Sequence, residues 1–250
     1  MILSIEEYIE YRKGGAIMIN ALLTIDDIAS ANTPAVVDYI VEKNIPAIMF
    51  GWGENIEAFF DNAVYALKAG IIVGNHSYSH PHFSEISYDE CIEEIEKNEA
   101  ILDRLYAAAG VERKYRPFRF PYGDKGGDKK DALQKYLKEK GFDKVDDTKI
   151  SFDSWKNAGF DKDIDTVWTF DLMEWNIRED TGFTKEDVMD RIHYIDPDNG
   201  EGLLVDGSHH IVLIHTHDIT EELVPEYYKL FIGEMLANGV EFVKPEFITI

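Results

Sequence analysis

The chain has 250 residues, 45% of them hydrophobic, which leaves room for one large or two small domains and matches the length an α/β barrel commonly needs. Its 48 acidic against 25 basic residues give a formal charge of −23. That sign argues against nucleic acid, whose phosphates need basic neutralisation, disfavours anionic membrane surfaces and suits a neutral or cationic substrate.

The first residues, MILSIEEYIEYRK, carry Glu6, Glu7 and Glu10 where a signal peptide would carry an unbroken apolar run. Residues 1–16 are expected to form an N-terminal extension packed on a single domain over 17–250. No stretch approaches the roughly 18 consecutive apolar residues of a spanning helix, so no membrane insertion is expected. A chain complete as given would be cytoplasmic; one trimmed of an export signal would act outside the membrane.

In chain order, Ile17–Thr24 reads as a strand, followed by a helix opened by Thr33 with Pro34 in its first turn. Ala47–Phe50 is a second strand, a helical stretch runs from Glu54 to Lys68, and Ile71–Gly74 is a third strand. Ser87 and Glu90 have capping-box spacing and open a helix over Tyr88–Ala109, inside which the single cysteine, Cys91, reads as a small apolar residue. Beyond the loop Gly123–Asp128, a helix spans Lys129–Lys140. Thr166–Phe170 is a strand, Thr184 caps a helix over Lys185–His193, and Ile211–His215 is a strand followed by a helix over Glu221–Asn238 and a last strand at Val240–Val243. Repeated β-then-α units imply a mostly parallel sheet, open or closed into a barrel, with functional groups at the C-terminal strand ends.

The chemistry-bearing residues fall there. Asp26 and Asp27 follow the first strand, His76 and His80 the third, Asp171 and Glu174 the strand Thr166–Phe170, and His215 closes Ile211–Ile214. In His76-Ser-Tyr-Ser-His80 two imidazoles four residues apart share a helical face; an ordered turn before Pro81 serves equally. Two histidines and a carboxylate make a three-ligand site with an open position for water. A His/His/Asp set without cysteine suits zinc, with cobalt, nickel or manganese also accommodated. Adjacent carboxylates in an extended segment point opposite ways, so one can bind an ion while the other takes a proton. Arg119 is placed to hold the base as carboxylate, and His215 suits a general acid.

Five segments, Thr24-Ile25-Asp26-Asp27, His76-Ser77-Tyr78-Ser79-His80, Arg119-Phe120-Pro121-Tyr122, Asp171-Leu172-Met173-Glu174-Trp175 and Leu213-Ile214-His215, occur in the order shown by polysaccharide deacetylases. The chain thus resembles that family, the NodB-homology group or carbohydrate esterase family 4. The resemblance implies an α/β fold of the distorted (β/α) barrel type, one divalent metal ion and a metal-dependent hydrolase acting on an acetylated glycan or oligosaccharide. It implies Asp26 as general base, Asp27, His76 and His80 as metal ligands, and Arg119 as the brace of the base. The Tyr122 backbone N–H would serve the oxyanion, Trp175 and Leu213 the acetyl methyl, and His215 the acid step. Ile25 stands where phenylalanine is usual and Glu174 where the family often has aspartate, so Asp171 and Glu174 both stand as partners for His215. His217 is a second candidate acid, since it shares a strand face with His215.

The reading from these residues is removal of N-acetyl groups from a glucosamine-containing glycan. O-deacetylation of xylan, hydrolysis of a small amide or cyclic ureide, and non-catalytic glycan binding stand as rivals. His82, His193, His209 and His210 read as loop, surface or packing residues. Tyr78, Trp52 and Trp168 read as core aromatics or as the lining of a sugar groove.

Overall fold

The computed structural model describes residues 18–194 and 200–248; the expected extension over 1–16 lies outside them. Five strands run parallel in the order β3 (Ile72–Asn75), β2 (Ala47–Gly51), β1 (Ile19–Ile28), β6 (His209–His215) and β5 (Phe170–Asp171). A further strand, β7 (Val240–Phe242), pairs in parallel with Ile19–Ala21 at the start of β1, leaving the later residues of that edge to β2. The segments Lys144–Val145 (β4) and Phe247–Ile248 (β8), which alternation in the sequence did not mark, form a separate antiparallel pair.

The sheet is carried round toward a distorted barrel by irregular backbone. Residue 75 bridges Phe118, with Asn75 N–H donating to Pro117 O (2.9 Å) and Arg119 N–H to Asn75 O (3.0 Å). Thr166 N–H then donates to Phe118 O (2.7 Å) and Thr169 N–H to Ile211 O (2.9 Å), reaching β6. The strand expected at Thr166–Phe170 is regular only at Phe170–Asp171, because its earlier residues bond to this irregular wall.

Strand alternation divides the apolar residues between two faces. Leu23, Ile25, Met49, Val212 and Ile214 pack outward against the helices, whereas Leu22, Ile48, Phe50 and Ile211 turn inward with Val145, Ile150 and Trp155. The inward column on β1 continues Leu22, Thr24, Asp26, and that on β6 continues Ile211, Leu213, His215. An apolar plug at one end thus gives way to polar side chains at the C-terminal strand ends.

Helices α1 (Thr33–Glu42), α4 (Tyr88–Ala109), α5 (Lys130–Glu139) and α7 (Lys185–Ile192) agree with expectation, and Ser87 and Glu90 form the capping box. The stretch 54–68 is instead two helices, α2 (Gly53–Ala58) and α3 (Phe60–Lys68), broken where Phe59 leaves helical geometry (φ −125°, ψ 45°). Likewise 221–238 divides into α8 (Asp218–Leu223) and α9 (Tyr227–Ala237) at Glu226, which is left-handed. A short α6 (Asp153–Asn157) lies between β4 and β5. Cys91 is buried, and burial pushes its thiol up to about 11, in keeping with an inert packing residue.

Closure depends on Gly74, where a Cβ would lie 2.8 Å from Pro117 O and 2.9 Å from the Phe50 ring. Neither neighbour can yield cheaply. Gly74→Ala is therefore expected to cost about 1–3 kcal/mol through overpacking, measurable as a lower midpoint in denaturant unfolding.

Candidate metal and catalytic site

Both aspartates lie inside β1, at its C-terminal end, rather than after it. Sequence alternation predicts that they diverge, but the β1–β2 register shifts between Ile25 and Ile28, and Asp27 is left-handed (φ 63°). This single turn of the backbone brings both carboxylates to His76. Its Nε2 lies 3.5 Å from Asp26 Oδ2 and 3.7 Å from Asp27 Oδ1.

The His76–His80 segment is an ordered turn and not a helix, with left-handed residues at Ser77 (φ 64°) and His80 (φ 59°). Glu94 on α4 holds it, accepting from Tyr78 N–H (2.9 Å), Ser79 N–H (2.7 Å) and the Ser79 hydroxyl (2.8 Å). Asn75 Oδ1 accepts from Ser77 N–H at 2.8 Å. His76 Nδ1 lies 2.8 Å from the Arg119 carbonyl. A carbonyl only accepts, so Nδ1 carries the proton, and Nε2 is the nitrogen that faces Asp27 and His80. His80 Nε2 stands 3.2 Å from His76 Nε2 and 3.3 Å from Asp27 Oδ1.

The donor atoms of Asp27, His76 and His80 lie within 4.8 Å of one another. Two observations test whether this set fits a cation. Asp27 Oδ1 is buried with no hydrogen-bond partner, and the protonation states are those a metal requires. Burial, then the proximity of His76, pushes His80 down to about 4 and leaves it a neutral imidazole at pH 7. Burial alone would raise the Asp27 carboxyl, but the His217 hydrogen bond and the neighbouring imidazoles hold it well below the usual range. A carboxylate with an unsatisfied oxygen, a neutral His80 and the His76 ring nitrogen facing it fit a divalent ion of the zinc type.

Arg119 is 1% exposed. Its Nη1 donates to Asp26 Oδ1 (2.7 Å) and Thr24 Oγ1 (2.9 Å), its Nε donates to Thr166 O (2.9 Å), and its guanidinium lies 4.5 Å from the Phe50 ring centroid. On the neighbouring strand, His215 Nδ1 meets Glu174 Oε1 at 3.0 Å, and the same oxygen accepts the His215 backbone N–H. Of the two acids, Glu174 makes this hydrogen bond, and Asp171 lies in the same cluster, its ligand atom within 4.8 Å of theirs. The extra methylene reaches the imidazole, while Asp171 accepts from Met173 N–H (2.8 Å) and the Trp175 indole (3.3 Å). Burial lowers the His215 imidazole, but Glu174, then Asp27 and Asp171, outweigh it and carry it up to about 10. Burial raises the Asp171 carboxyl.

His217, weighed as an acid from its strand face, instead places Nε2 2.7 Å from Asp27 Oδ2. Spacing in the sequence shows the shared face but not the carboxylate opposite it. Leu213 is buried on the inward column beside His215, and Trp175 is held by Asp171. Tyr122 is left-handed (φ 58°) and 58% exposed, with its ring stacked on His82 and edge-on to His80. Trp52 packs on His80, Trp168 lies near Arg119, and Tyr78 packs against the main core. His193 pairs with Glu234 at the surface and His210 is buried on Thr169. A cavity of about 570 Å³ adjoins Asp27 and His217, lined also by Asn55, Phe59 and Arg178. A second, of about 420 Å³, lies along Tyr122, Trp168 and Trp155.

The polysaccharide deacetylase family model matches residues 18–145. A peptidoglycan-N-acetylglucosamine deacetylase of Bacillus cereus is 38% identical over 103 residues, 41% of this chain and 36% of that protein. The peptidoglycan-N-acetylmuramic acid deacetylase PdaC of Bacillus subtilis is 31% identical over 104 residues, 40% of this chain and 21% of that protein. The matched stretches thus span about a third or less of these relatives. In fold, the chain is similar to the polysaccharide deacetylase Bc1974 from Bacillus cereus, with a TM-score of 0.60 and 20% identity over 90% of each chain.

Two measurements test this geometry. Arg119→Met strands the buried Asp26 carboxylate and should destabilise the fold by about 3–5 kcal/mol, whereas adding Asp26→Asn should recover much of that loss; urea unfolding of both variants checks the coupling. In an NMR titration His215 should remain an imidazolium until about pH 10. Glu174→Gln should move its deprotonation to lower pH, because the negative charge that raises it is gone.

Proposed function

Since the chain belongs to the polysaccharide deacetylase family, we propose that it is a metal-dependent hydrolase that removes acetyl groups from N-acetylated sugars of a glucosamine-containing glycan of the peptidoglycan or chitin type. One observation carries this reading: a carboxylate held by arginine (Asp26) and a carboxylate facing two imidazoles (Asp27) meet at one ring nitrogen of His76. The relatives' names supply the substrate class.

Asp27, His76 and His80 would hold the ion, zinc by donor chemistry, with cobalt, nickel or manganese as substitutes. A divalent cation supplies Lewis-acid polarisation of the acetyl carbonyl and makes water a better nucleophile at neutral pH. Asp26 acts as the base that takes the proton of the attacking water. Arg119 fixes its orientation through a 2.7 Å hydrogen bond. The Tyr122 backbone N–H stabilises the oxyanion of the tetrahedral intermediate, and Leu213 and Trp175 receive the acetyl methyl. His215, charged beside Glu174, delivers a proton to the departing amine, leaving acetate and a free amino sugar. Glu174 orients the acid and supports its charge.

The protein should be stripped with chelator, reconstituted with single metals and assayed for acetate release. The panel comprises N-acetylglucosamine oligosaccharides, peptidoglycan, acetylated xylan and small amides. Release is expected from the N-acetylated glycans only after reconstitution, and Asp26→Asn or His215→Ala should each lower kcat by about 10²–10⁴-fold. Full activity in the stripped protein, or in Asp26→Asn, would refute the assigned roles; faster release from xylan would select ester hydrolysis.

A further inference from the structure

We infer that His217 is a positioning residue for the metal site, donating a hydrogen bond to Asp27 Oδ2 so that only Oδ1 is presented to the ion. The inference rests on reading Asp27 as a metal ligand. Its Nε2 lies 2.7 Å from Oδ2, whereas the opposite oxygen, Oδ1, faces His80 at 3.3 Å and His76 at 3.7 Å. Among the described residues, the donor cluster at this place comprises Asp27, His76 and His80. His217 stands outside it, behind the carboxylate.

The imidazole is held there by its neighbours on both sides. Thr216 N–H donates to Asp26 O (3.3 Å), and the Tyr227 hydroxyl donates to His215 O. Asp218 accepts from Asn32 N–H (3.0 Å) and Ala31 N–H (3.2 Å), tying the turn to the segment just after β1. His217 Nδ1 is buried with no hydrogen-bond partner. A carboxylate oxygen only accepts, so Nε2 carries the proton and donates across this contact.

The contact has two consequences. Occupying Oδ2 keeps Asp27 monodentate, so a coordination position stays open for water and substrate. It also ties down a carboxylate whose backbone sits in an uncommon conformation (φ 63°). Histidine more often acts this way as the ligand with a carboxylate behind it; here the order is reversed, with the carboxylate as ligand and the imidazole behind. Such outer contacts typically carry about 10–100-fold in metal affinity.

The test is calorimetric titration of Zn²⁺ into chelator-stripped wild-type, His217→Ala, His217→Gln and Asp27→Ala proteins, with thermal melts of the stripped forms to verify folding. His217→Ala should bind zinc about 10–100-fold more weakly than wild type. His217→Gln, whose amide can donate to Oδ2, should keep most of the affinity. Should the alanine variant fail to fold, His217→Asn, too short to reach Oδ2, takes its place in the comparison. Equal affinity in wild type and His217→Ala overturns the positioning role alone, as does an equal loss in the alanine and glutamine variants. A wild type that binds no zinc, or an Asp27→Ala variant that binds it as tightly as wild type, overturns the metal reading itself.

Discussion

The buried guanidinium of Arg119 is the constraint on which the site depends. Its side chain joins Asp26 and Thr24 on β1 to the carbonyl of Thr166. Its backbone N–H bonds to Asn75 O at the end of β3, and its carbonyl accepts from His76 Nδ1. One residue thus closes the irregular side of the barrel, orients the proposed base and sets the tautomer of a proposed ligand. A charge this deeply buried persists only because its hydrogen bonds and its carboxylate partner answer most of its polar groups. Fold and chemistry are therefore coupled here by a single ion pair.

Around that pair, neighbouring groups of similar chemistry are driven to different states. Asp27 is held ionised by the His217 hydrogen bond and the charged His215 nearby, while burial raises Asp171. His80 is kept neutral by burial, and His215 is kept charged by Glu174. The groups proposed to hold an ion and the histidine proposed to donate a proton are thus set apart by environment and not by residue type.

The backbone contributes as much as the side chains. Asp27, Ser77, His80, Tyr122 and Met173, all at or beside the site, are left-handed non-glycine residues. Each conformation costs energy that the surrounding packing and hydrogen bonds must offset. Glu94 does so for the turn between the histidines, and the Asn55 amide, which donates to Asp27 O at 3.1 Å, does so for the bulge. This outlay yields a site whose donors already point inward, with one cavity adjoining Asp27 and His217 and another along Tyr122 and Trp168.

By itself the sequence determined the β-then-α order, the capping of α4 by Ser87, and the identity of Asp26, Asp27, His76, His80, Arg119 and His215 as strand-end groups. Those features are local: they follow from apolar periodicity, capping chemistry and motif order. Tertiary structure alone decided that Asp26 and Asp27 converge, since alternation in a regular strand predicts the opposite and only the bulge reverses it. It also decided that Glu174 lies at hydrogen-bond distance from His215, and that His217 stands behind Asp27. Each of these contacts joins residues at least 41 positions apart or depends on a backbone turn that carries no glycine to mark it. The spacing of letters along one segment holds no information about the oxygen that another segment will bring opposite.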